Sequence, residues 1–297
     1  MYPDNNWYGH RSILLRYLGV KDQRIFGSFQ HGWYKKNIDY TVRKFNTFIP
    51  YFAWNETIYK NAKKNRNNKV FITGSPFIYL DKLKKKKFKG KGVLFFPAHN
   101  YPVSEKNFHD KKIDYIKFNH IDYIKKIKKL ARGPYTVSIY YSDFSKKIAK
   151  IYRQQGWTVK ISGNRQDPKA LDKLYNLINK SEYIISSEPS TSILYSLFLK
   201  KKTRIIFDKT KYKNTTYYKS HLNILKKKDK IYKDLYKKFV FGSEAINFAN
   251  KELGYNHLKS KDELRNILGL NSNIKKIFKI VISKIIDFKY KKLRLSS

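Results

Sequence analysis

The residues best suited to chemistry lie in one stretch, SEYIISSEPSTSILYSL, which runs from Ser181 to Leu197. Its apolar start predicts a buried strand, its middle is rich in hydroxyl groups, and a helical pattern begins soon after Pro189. The N–H groups at a helix start and the positive end of the helix dipole favour an anion such as phosphate. An ordinary helix cap is the alternative, but one serine would suffice for it. We therefore predict a phosphate or nucleotide site formed by Ser186, Ser187, Glu188, Ser190, Thr191 and Ser192.

Histidines follow two other predicted strands. His31 stands in the turn QHGW after a strand predicted at 24–29, and His99 follows the apolar strand Val93–Phe96. An imidazole in such a turn can act as a general base near neutral pH or donate a hydrogen bond to a phosphate. We interpret His31 as the catalytic base and His99 as a nucleotide ligand, with ordinary loop histidines as the alternative. Further candidates for acceptor or cleft contacts are His10, Arg11, Gln30, Gly74 and Ser75.

The elements that must position these residues alternate along the chain. From Val93 onward, predicted strands are separated by helices of ten or more residues, which favours βαβ units and a parallel sheet. The predicted elements include strands at 24–29, 47–54, 158–162 and 204–207 and a helix at 113–130. Ligands of such sheets bind at the carboxyl ends of the strands, where most of the candidate residues lie.

The sequence pattern predicts an α/β protein with two Rossmann-like domains, the N-terminal one small. We place a small acceptor-side α/β domain at 1–81 and a basic linker with two glycines at 82–92. A Rossmann-like nucleotide-sugar-binding domain is predicted at 93–270, and a basic amphipathic C-terminal helix at 271–297.

The charge of the chain favours anionic partners. Its 297 residues include 65 Lys and Arg against 22 Asp and Glu, a net charge of +43. Nucleic acid, an anionic membrane surface and anionic substrates all fit that charge. Neither a zinc finger, a KH loop nor an RNP motif is visible, so we expect no specific nucleic-acid partner, although a basic nucleic-acid-binding α/β protein stays open as an alternative.

Other patterns exclude several classes of protein. The chain has no cysteine, which excludes disulfides and thiolate metal sites. It has no HExxH motif and no paired acidic motif, so we expect no metal. It has no signal-peptide pattern and no run of 18 apolar residues, so we expect no spanning helix.

The C-terminal stretch predicts contact with a membrane surface. Between Ile274 and Arg294, apolar residues recur at helical spacing and are accompanied by many lysines. Such a helix would lie in the interface of an anionic membrane. The alternative is that the apolar stripe packs against the domains as a closing helix.

Four turns together carry a family resemblance: QHGW (Gln30–Trp33), GSP (Gly74–Pro76), FPAH (ending Pro97–His99) and SEYIISSEPSTS. They resemble bacterial glycosyltransferases of the GT-B type, which build lipopolysaccharide and capsule. The last two are similar to motifs of CMP-sugar-using sialyl- and Kdo-transferases, and the serine-rich segment also resembles the nucleotide site of CDP-glycerol glycerophosphotransferases.

The resemblance implies an activity, a place and partners. It implies a metal-independent transferase without a cofactor that moves a sugar from a nucleotide-sugar donor to a glycan or lipid-linked acceptor. The motif residues would bind the nucleotide, and a histidine of the opposite domain would assist attack. The enzyme would be cytoplasmic and peripheral on the inner face of the cell membrane. A non-catalytic α/β scaffold is a further alternative.

Overall fold

The structure, a computed structural model, describes residues 6–33, 49–64, 69–84, 89–98, 118–207 and 230–270. His99 and the predicted helix at 271–297 lie outside these residues. The chain divides into two compact units. Of the described residues, unit 1 contains those up to Lys84, the short stretch Arg165–Leu171 and those from Lys251 to Leu270. Unit 2 contains the described residues between Lys89 and Asn164 and between Asp172 and Asn250.

The described ranges form helices and strands that alternate along the chain. The helices are α1 (His10–Leu18), α2 (Glu56–Lys64), α3 (Pro76–Leu83), α4 (His120–Leu130), α5 (Lys146–Gln154), α6 (Ala170–Lys180), α7 (Thr191–Phe198), α8 (Lys230–Lys237), α9 (Ser243–Leu253) and α10 (Lys261–Leu268). The strands are β1 (Ser28–Phe29), β2 (Tyr51–Ala53), β3 (Val70–Ile72), β4 (Val93–Phe96), β5 (Tyr135–Tyr140), β6 (Thr158–Ser162), β7 (Tyr183–Ser186) and β8 (Lys202–Ile205). The prediction of an α/β fold with parallel sheets is confirmed.

Unit 1 contains a three-stranded parallel sheet in the order β1-β2-β3. Its middle strand, β2, is buried along its whole length, as expected of a parallel strand covered on both faces. Helix α2 follows β2 and begins where the Asn55 side chain accepts a hydrogen bond from the N–H of Ile58 at 3.0 Å. Because the three strands are parallel, their carboxyl ends all lie at one edge of this sheet.

Unit 2 contains a five-stranded parallel sheet in the order β6-β5-β4-β7-β8. Its central strands β4 and β7 are almost entirely buried, and the ring of Phe95 stacks on Tyr123 of helix α4 with centroids 5.7 Å apart. The chain adds β5 and β6 on one side of β4 and then returns to add β7 and β8 on the other. This strand order is Rossmann-like, and its direction reverses between β4 and β7.

Several predicted elements differ in length from the observed ones. The strand predicted at 24–29 is reduced to β1, because Gly27 has a φ of 146° and its missing side chain leaves room for the ring of Phe52. The strand predicted at 204–207 begins at Lys202, because the parallel ladder with β7 pairs Lys202 with Tyr183 and Ile205 with Ser186. Helix α3 extends to Leu83, so the first residues of the predicted linker are helical.

The predicted domain limits stay a prediction. The division between the units falls at Lys85 and Lys86, inside the predicted linker, whereas 165–171 and 251–270 belong to unit 1. None of the helices in the described ranges is long and apolar enough to cross a membrane.

Candidate functional site

The turn after β7 is held by the hydroxyls of two buried serines. The hydroxyl of Ser186 donates to the carbonyl of Glu188 at 2.6 Å, and that of Ser187 accepts from the N–H of Ala98 at 2.6 Å. The N–H of Ser187 also donates to the carbonyl of Phe96 at 3.1 Å. Both serines are fully buried. Their hydroxyls therefore shape this turn and join it to the end of β4.

The next serines are placed differently, at the start of helix α7. Ser190 occupies the N-cap position, yet its side chain accepts no hydrogen bond from the helix. Its hydroxyl lies 2.6 Å from that of Ser192 instead, and Ser190, Thr191 and Ser192 are all half-buried. The first N–H groups of a helix have no intrahelical partners, and the helix dipole is positive there. The α7 start thus combines hydroxyl groups with a positive electrostatic potential.

This group of residues lies at the reversal point of the unit 2 sheet. Strands β4 and β7 are neighbours, and the chain leaves them toward opposite sides. In open α/β sheets a crevice forms beyond the carboxyl ends of such strands, and ligands bind in it. The Pro97–Ala98 turn follows β4, and the Ser187–Ser190 turn follows β7. His99, the predicted nucleotide ligand, follows Ala98 directly but lies outside the described residues.

A small pocket of about 10 Å³ lies at the carboxyl ends of β4 and β5. Its volume is close to the space that a single water molecule needs. We call it the β4–β5 pocket; its lining includes Pro97, Ala98, Phe118, His120, Tyr140 and Asp143. The ring of Tyr140 packs against Gly163, the residue that follows β6. Gly163 has a φ of 80°, and a side chain at this position would clash with the Tyr140 ring.

His120 is the titratable ring of this pocket. Burial lowers its pKa to about 4, although the nearby carboxylate of Asp143 acts in the opposite direction. Its Nδ1 lies 3.0 Å from the hydroxyl of Tyr152, and burial raises the pKa of that phenol. His120 is consequently neutral at pH 7. The local sequence contains no signal for this environment, because Tyr152 and Asp143 lie 32 and 23 residues further along the chain.

Glu188 is almost fully buried and faces helix α8. Burial raises the pKa of the Tyr236 phenol, and the charge of Glu188 raises it further. This carboxylate therefore lies within electrostatic range of a tyrosine that is 48 residues away in sequence. Local patterns contain no signal for the pair.

Two predicted site residues of unit 1 have structural roles. Gln30 is fully buried; its side-chain oxygen accepts from the N–H of Trp54 at 2.8 Å, and its amide donates to the carbonyl of Gly32 at 2.9 Å. Ser75 is fully buried as well: its N–H donates to the carbonyl of Leu253 at 2.8 Å, and its hydroxyl accepts from the N–H of Phe77. The expected exposure of their polar groups to a ligand therefore does not fit the observed contacts.

Gly74 has a related structural role. A Cβ at this position would lie 2.9 Å from the carbonyl oxygen of Gly254, and its φ is 73°. Only glycine fits a backbone approach this close with a positive φ.

Two of the remaining predicted residues of unit 1, His10 and His31, do come together. His10 and His31 interact electrostatically, and the ring of His31 meets that of Trp7 edge to face, with centroids 4.9 Å apart. The guanidinium of Arg165 lies 5.1 Å from the centroid of the same Trp7 ring. We call these four residues the histidine cluster. Neither the aromatic ring nor Arg165 was expected from the sequence.

Burial and neighbouring groups keep both histidines of this cluster neutral at pH 7. Burial lowers the pKa of His10 to about 3, with a smaller contribution from His31. Burial, together with the charge of Arg165, lowers the pKa of His31 to about 4. Arg11, the neighbour of His10, forms an ion pair with the exposed carboxylate of Asp22 at 3.1 Å.

The chain matches no model of a known protein family, and it matches no curated protein. The described residues also contain no cluster of three or more His, Asp or Glu side chains able to hold a metal ion. The resemblance stated from the four turns therefore stays a prediction, and the geometry described above is what any functional proposal must use.

Proposed function

We propose that the protein is a glycosyltransferase that takes a sugar from a nucleotide-sugar donor and adds it to a surface glycan or a lipid-linked acceptor. The observation that carries the proposal is the α7 start at the reversal point of the sheet. There, Ser190 and Ser192 direct their hydroxyls at each other instead of capping the helix. A phosphate would offer both hydroxyls and the helix N–H groups an acceptor.

Such a site supports departure of the nucleotide. When the glycosidic bond of the donor breaks, negative charge develops on the phosphate oxygen that leaves with the nucleotide. The helix dipole, the N–H groups of α7 and the serine hydroxyls stabilise that charge without reorganising. The reaction we propose therefore needs no metal and no cofactor.

His31 is our candidate for the base that activates the acceptor hydroxyl. Its ring is neutral at pH 7 and can take a proton. A pKa of about 4 limits its strength, since a general base works best with a pKa near the working pH. We therefore expect His31 to accept the proton late, as the new glycosidic bond forms. The substitution His31→Asn should lower turnover by roughly 10²- to 10⁴-fold.

The nucleotide site is tested by binding. We expect CMP, UDP or GDP to bind the purified protein in a calorimetric titration, and the double variant Ser190→Ala/Ser192→Ala to bind at least several-fold more weakly. Each lost hydrogen bond to a charged group is worth roughly 1.5–3 kcal/mol. Ser243→Ala is the matched control, because it removes an exposed serine from the start of α9.

Two results would overturn the proposal. One is that none of the three nucleotides binds the protein. The other is that the double variant binds as tightly as the protein with Ser243→Ala. The nucleotide released from CMP-, UDP- and GDP-sugars in the presence of an acceptor glycan then identifies the donor.

The proposed partners follow from the acceptor. Surface glycans are commonly extended on lipid carriers, so the enzyme we propose is peripheral on the inner face of the cell membrane. A net charge of +43 supports attraction to an anionic surface.

A further inference from the structure

Helices α4 and α5 of unit 2 lie side by side on the five-stranded sheet. Tyr123, Ile124 and Ile127 of α4 and Tyr152 of α5 are buried in one core cluster together with Phe95 of strand β4. Since both helices bury their apolar residues in the same cluster, they cover the same side of the sheet. Their opposite faces together form one outer surface of unit 2.

This outer surface, which we call the α4–α5 face, is strongly basic. Its basic residues are all exposed and comprise Lys125, Lys126, Lys128, Lys129, Lys146, Lys147, Lys150 and Arg153. Helix α4 contains one acidic residue, Asp122, whose carboxylate accepts a hydrogen bond from the Asn119 amide at 2.6 Å, and α5 contains none. Helix α10, by contrast, contains two basic and two acidic residues. The positive charge of the described chain is therefore concentrated on particular helices.

Most of the cations on the α4–α5 face are not neutralised by the protein. The ammonium of Lys128 donates to the carbonyl of Gln155 at 3.1 Å, and that of Lys126 lies 5.7 Å from the centroid of the Tyr123 ring. The other six form no ion pair with an acidic side chain within the described part of the chain. Like charges one helical turn apart repel each other, so an anionic partner on this face would be stabilising.

Two exposed apolar side chains adjoin the basic face. Ile121, near the start of α4, is 40% exposed, and Tyr141, directly after β5, is 45% exposed. Their neighbours His120 and Asp143 line the same small pocket, so the two stretches lie close together. A nucleic-acid backbone offers phosphates alone, whereas a membrane offers phosphates above an apolar layer. Isoleucine gains by entering that layer, and tyrosine is enriched at its boundary.

We propose that the α4–α5 face binds the anionic headgroups of a membrane, with Ile121 and Tyr141 entering the interfacial region. Both side chains lie at the carboxyl edge of the unit 2 sheet, the edge at which the α7 start also lies. Contact through this face would hold the proposed phosphate site near a surface that carries a lipid-linked acceptor. The inference rests on the membrane location proposed above and assigns the contact to named residues of unit 2.

Vesicle binding by the full chain tests the proposal. The vesicles contain equal parts of phosphatidylglycerol and phosphatidylcholine. The variant Lys125→Gln/Lys129→Gln/Lys146→Gln/Lys150→Gln removes four exposed charges and replaces them with a good helix former. A basic residue near an anionic surface strengthens binding by about fivefold, so we expect the four substitutions together to weaken vesicle binding at least about tenfold.

The matched control removes the same charge from another helix of unit 2. It is Lys230→Gln/Lys233→Gln/Lys237→Gln/Lys238→Gln, which changes four exposed lysines in and directly after α8. Helix α8 contacts β8, the strand at the far end of the sheet from β6. The control variant has the same net charge as the first variant, and we expect it to retain most of the vesicle binding.

A second measurement does not depend on removing charge. The chain has no cysteine, so Ser142→Cys provides a single site for a polarity-sensitive fluorophore. Ser142 is exposed and directly follows Tyr141. We expect the emission of this label to shift to the blue with the anionic vesicles and to stay unchanged with pure phosphatidylcholine. A label at Ser243→Cys, at the exposed start of α9, should shift with neither.

Three results would overturn the proposal. One is equal vesicle binding by the two quadruple variants, and another is an unchanged emission of the label at position 142. The third is loss of poly(U) RNA binding by the α4–α5 variant with vesicle binding retained, which would identify a nucleic-acid surface. If the α4–α5 variant does not fold, the fluorophore result decides.

These outcomes are separate from those of the nucleotide titrations. The titrations contain no vesicles, so failure of the membrane contact leaves the phosphate site at the α7 start standing. Vesicle binding needs no nucleotide, so a chain that binds vesicles through the α4–α5 face but binds no nucleotide would retain this inference and lose the proposed transferase activity.

Discussion

The histidines of this chain differ in what surrounds their rings. His120 has a hydrogen-bond partner in Tyr152, whereas both ring nitrogens of His10 are buried without a partner among the described residues. His10 packs against Trp54 with ring centroids 6.0 Å apart and begins helix α1. Burial and the positive end of the helix dipole both disfavour an imidazolium there. This ring therefore behaves as an apolar group at neutral pH.

The buried ring of His10 makes stability depend on pH. Its folded pKa of about 3 is below the ordinary value of 6.5, so the unfolded chain binds the proton more tightly. The associated stability is fully present above pH 6.5 and is lost as the pH falls toward 3, by about 1.4 kcal/mol per pH unit. We expect His10→Phe to make the free energy of unfolding less dependent on pH between 6.5 and 4, measured by urea unfolding with tryptophan fluorescence.

A matched variant separates His10 from the other histidines. His257→Phe changes a half-buried histidine in the same unit and should keep the pH dependence of the unchanged protein. Identical slopes for the two variants would mean that His10 is not buried in its neutral form.

Arg165 contributes to the lowered pKa of His31, the other histidine of the cluster. Its positive charge is one of the two causes that lower this pKa, and burial is the larger. We expect Arg165→Leu to raise the pKa of His31 by up to about one unit. An NMR titration of the ring measures this without a substrate, and Arg132→Leu, an exposed arginine of unit 2, is the control. A pKa of His31 that is unchanged by Arg165→Leu would contradict the role given to Arg165.

At the scale of elements, both sheets place their polar turns at the carboxyl ends of strands, but most of those polar groups hold the turns themselves. Gln30 joins the end of β1 to the residue after β2, and Ser187 joins the end of β7 to the turn after β4. A ligand site on such a sheet needs polar side chains in addition to those that are hydrogen-bonded to the backbone of the turns. The α7 start has them, because the hydroxyls of Ser190 and Ser192 are not used to cap the helix.

Local pattern was enough to predict many elements. Strand β6 was predicted at its observed limits, and the helix predicted at 113–130 ends at the observed residue Leu130, because alternation and helical spacing are properties of neighbouring residues. The strand starts at Ser28 and Lys202 were missed because their partners, Phe52 and Tyr183, are distant in sequence. The same reason hid the pairing of His120 with Tyr152.

The sequence was enough to single out the group of serines after β7, but it was not enough to predict what each hydroxyl does. The serines after β7 were found as one group, yet two of the hydroxyls shape the turn, whereas those of Ser190 and Ser192 pair with each other. Whether a hydroxyl is used internally depends on the opposite turn, here the N–H of Ala98. No pattern within the serine-rich segment contains that information.

At the scale of the whole molecule, the charge is unevenly placed along the sequence. The segment after Asn271 is rich in lysine and has Asp287 as its one acidic residue. We expect the full chain to sediment with anionic vesicles and a version ending at Asn271 to sediment less, with binding weakened by salt. Neutral vesicles are the control.

Two other results would contradict the membrane role of this segment. Equal sedimentation of both proteins with anionic vesicles would show that the segment is not an anchor. A shortened protein that no longer unfolds cooperatively on heating would favour the closing-helix alternative instead.

The late return of the chain to unit 1 has a consequence for synthesis on the ribosome. The turns after β2 and β3 obtain partners from Glu252, Leu253 and Gly254: the Asn55 amide donates to the carbonyl of Glu252 at 2.7 Å, and Ser75 donates to that of Leu253. The ladder of unit 2 is complete by Val240. Nascent domains usually mature in the order in which they emerge. The N-terminal part of unit 1 is translated first, but it can form these hydrogen bonds only after residues 252–254 have been translated. By then the strands of unit 2 have already been translated.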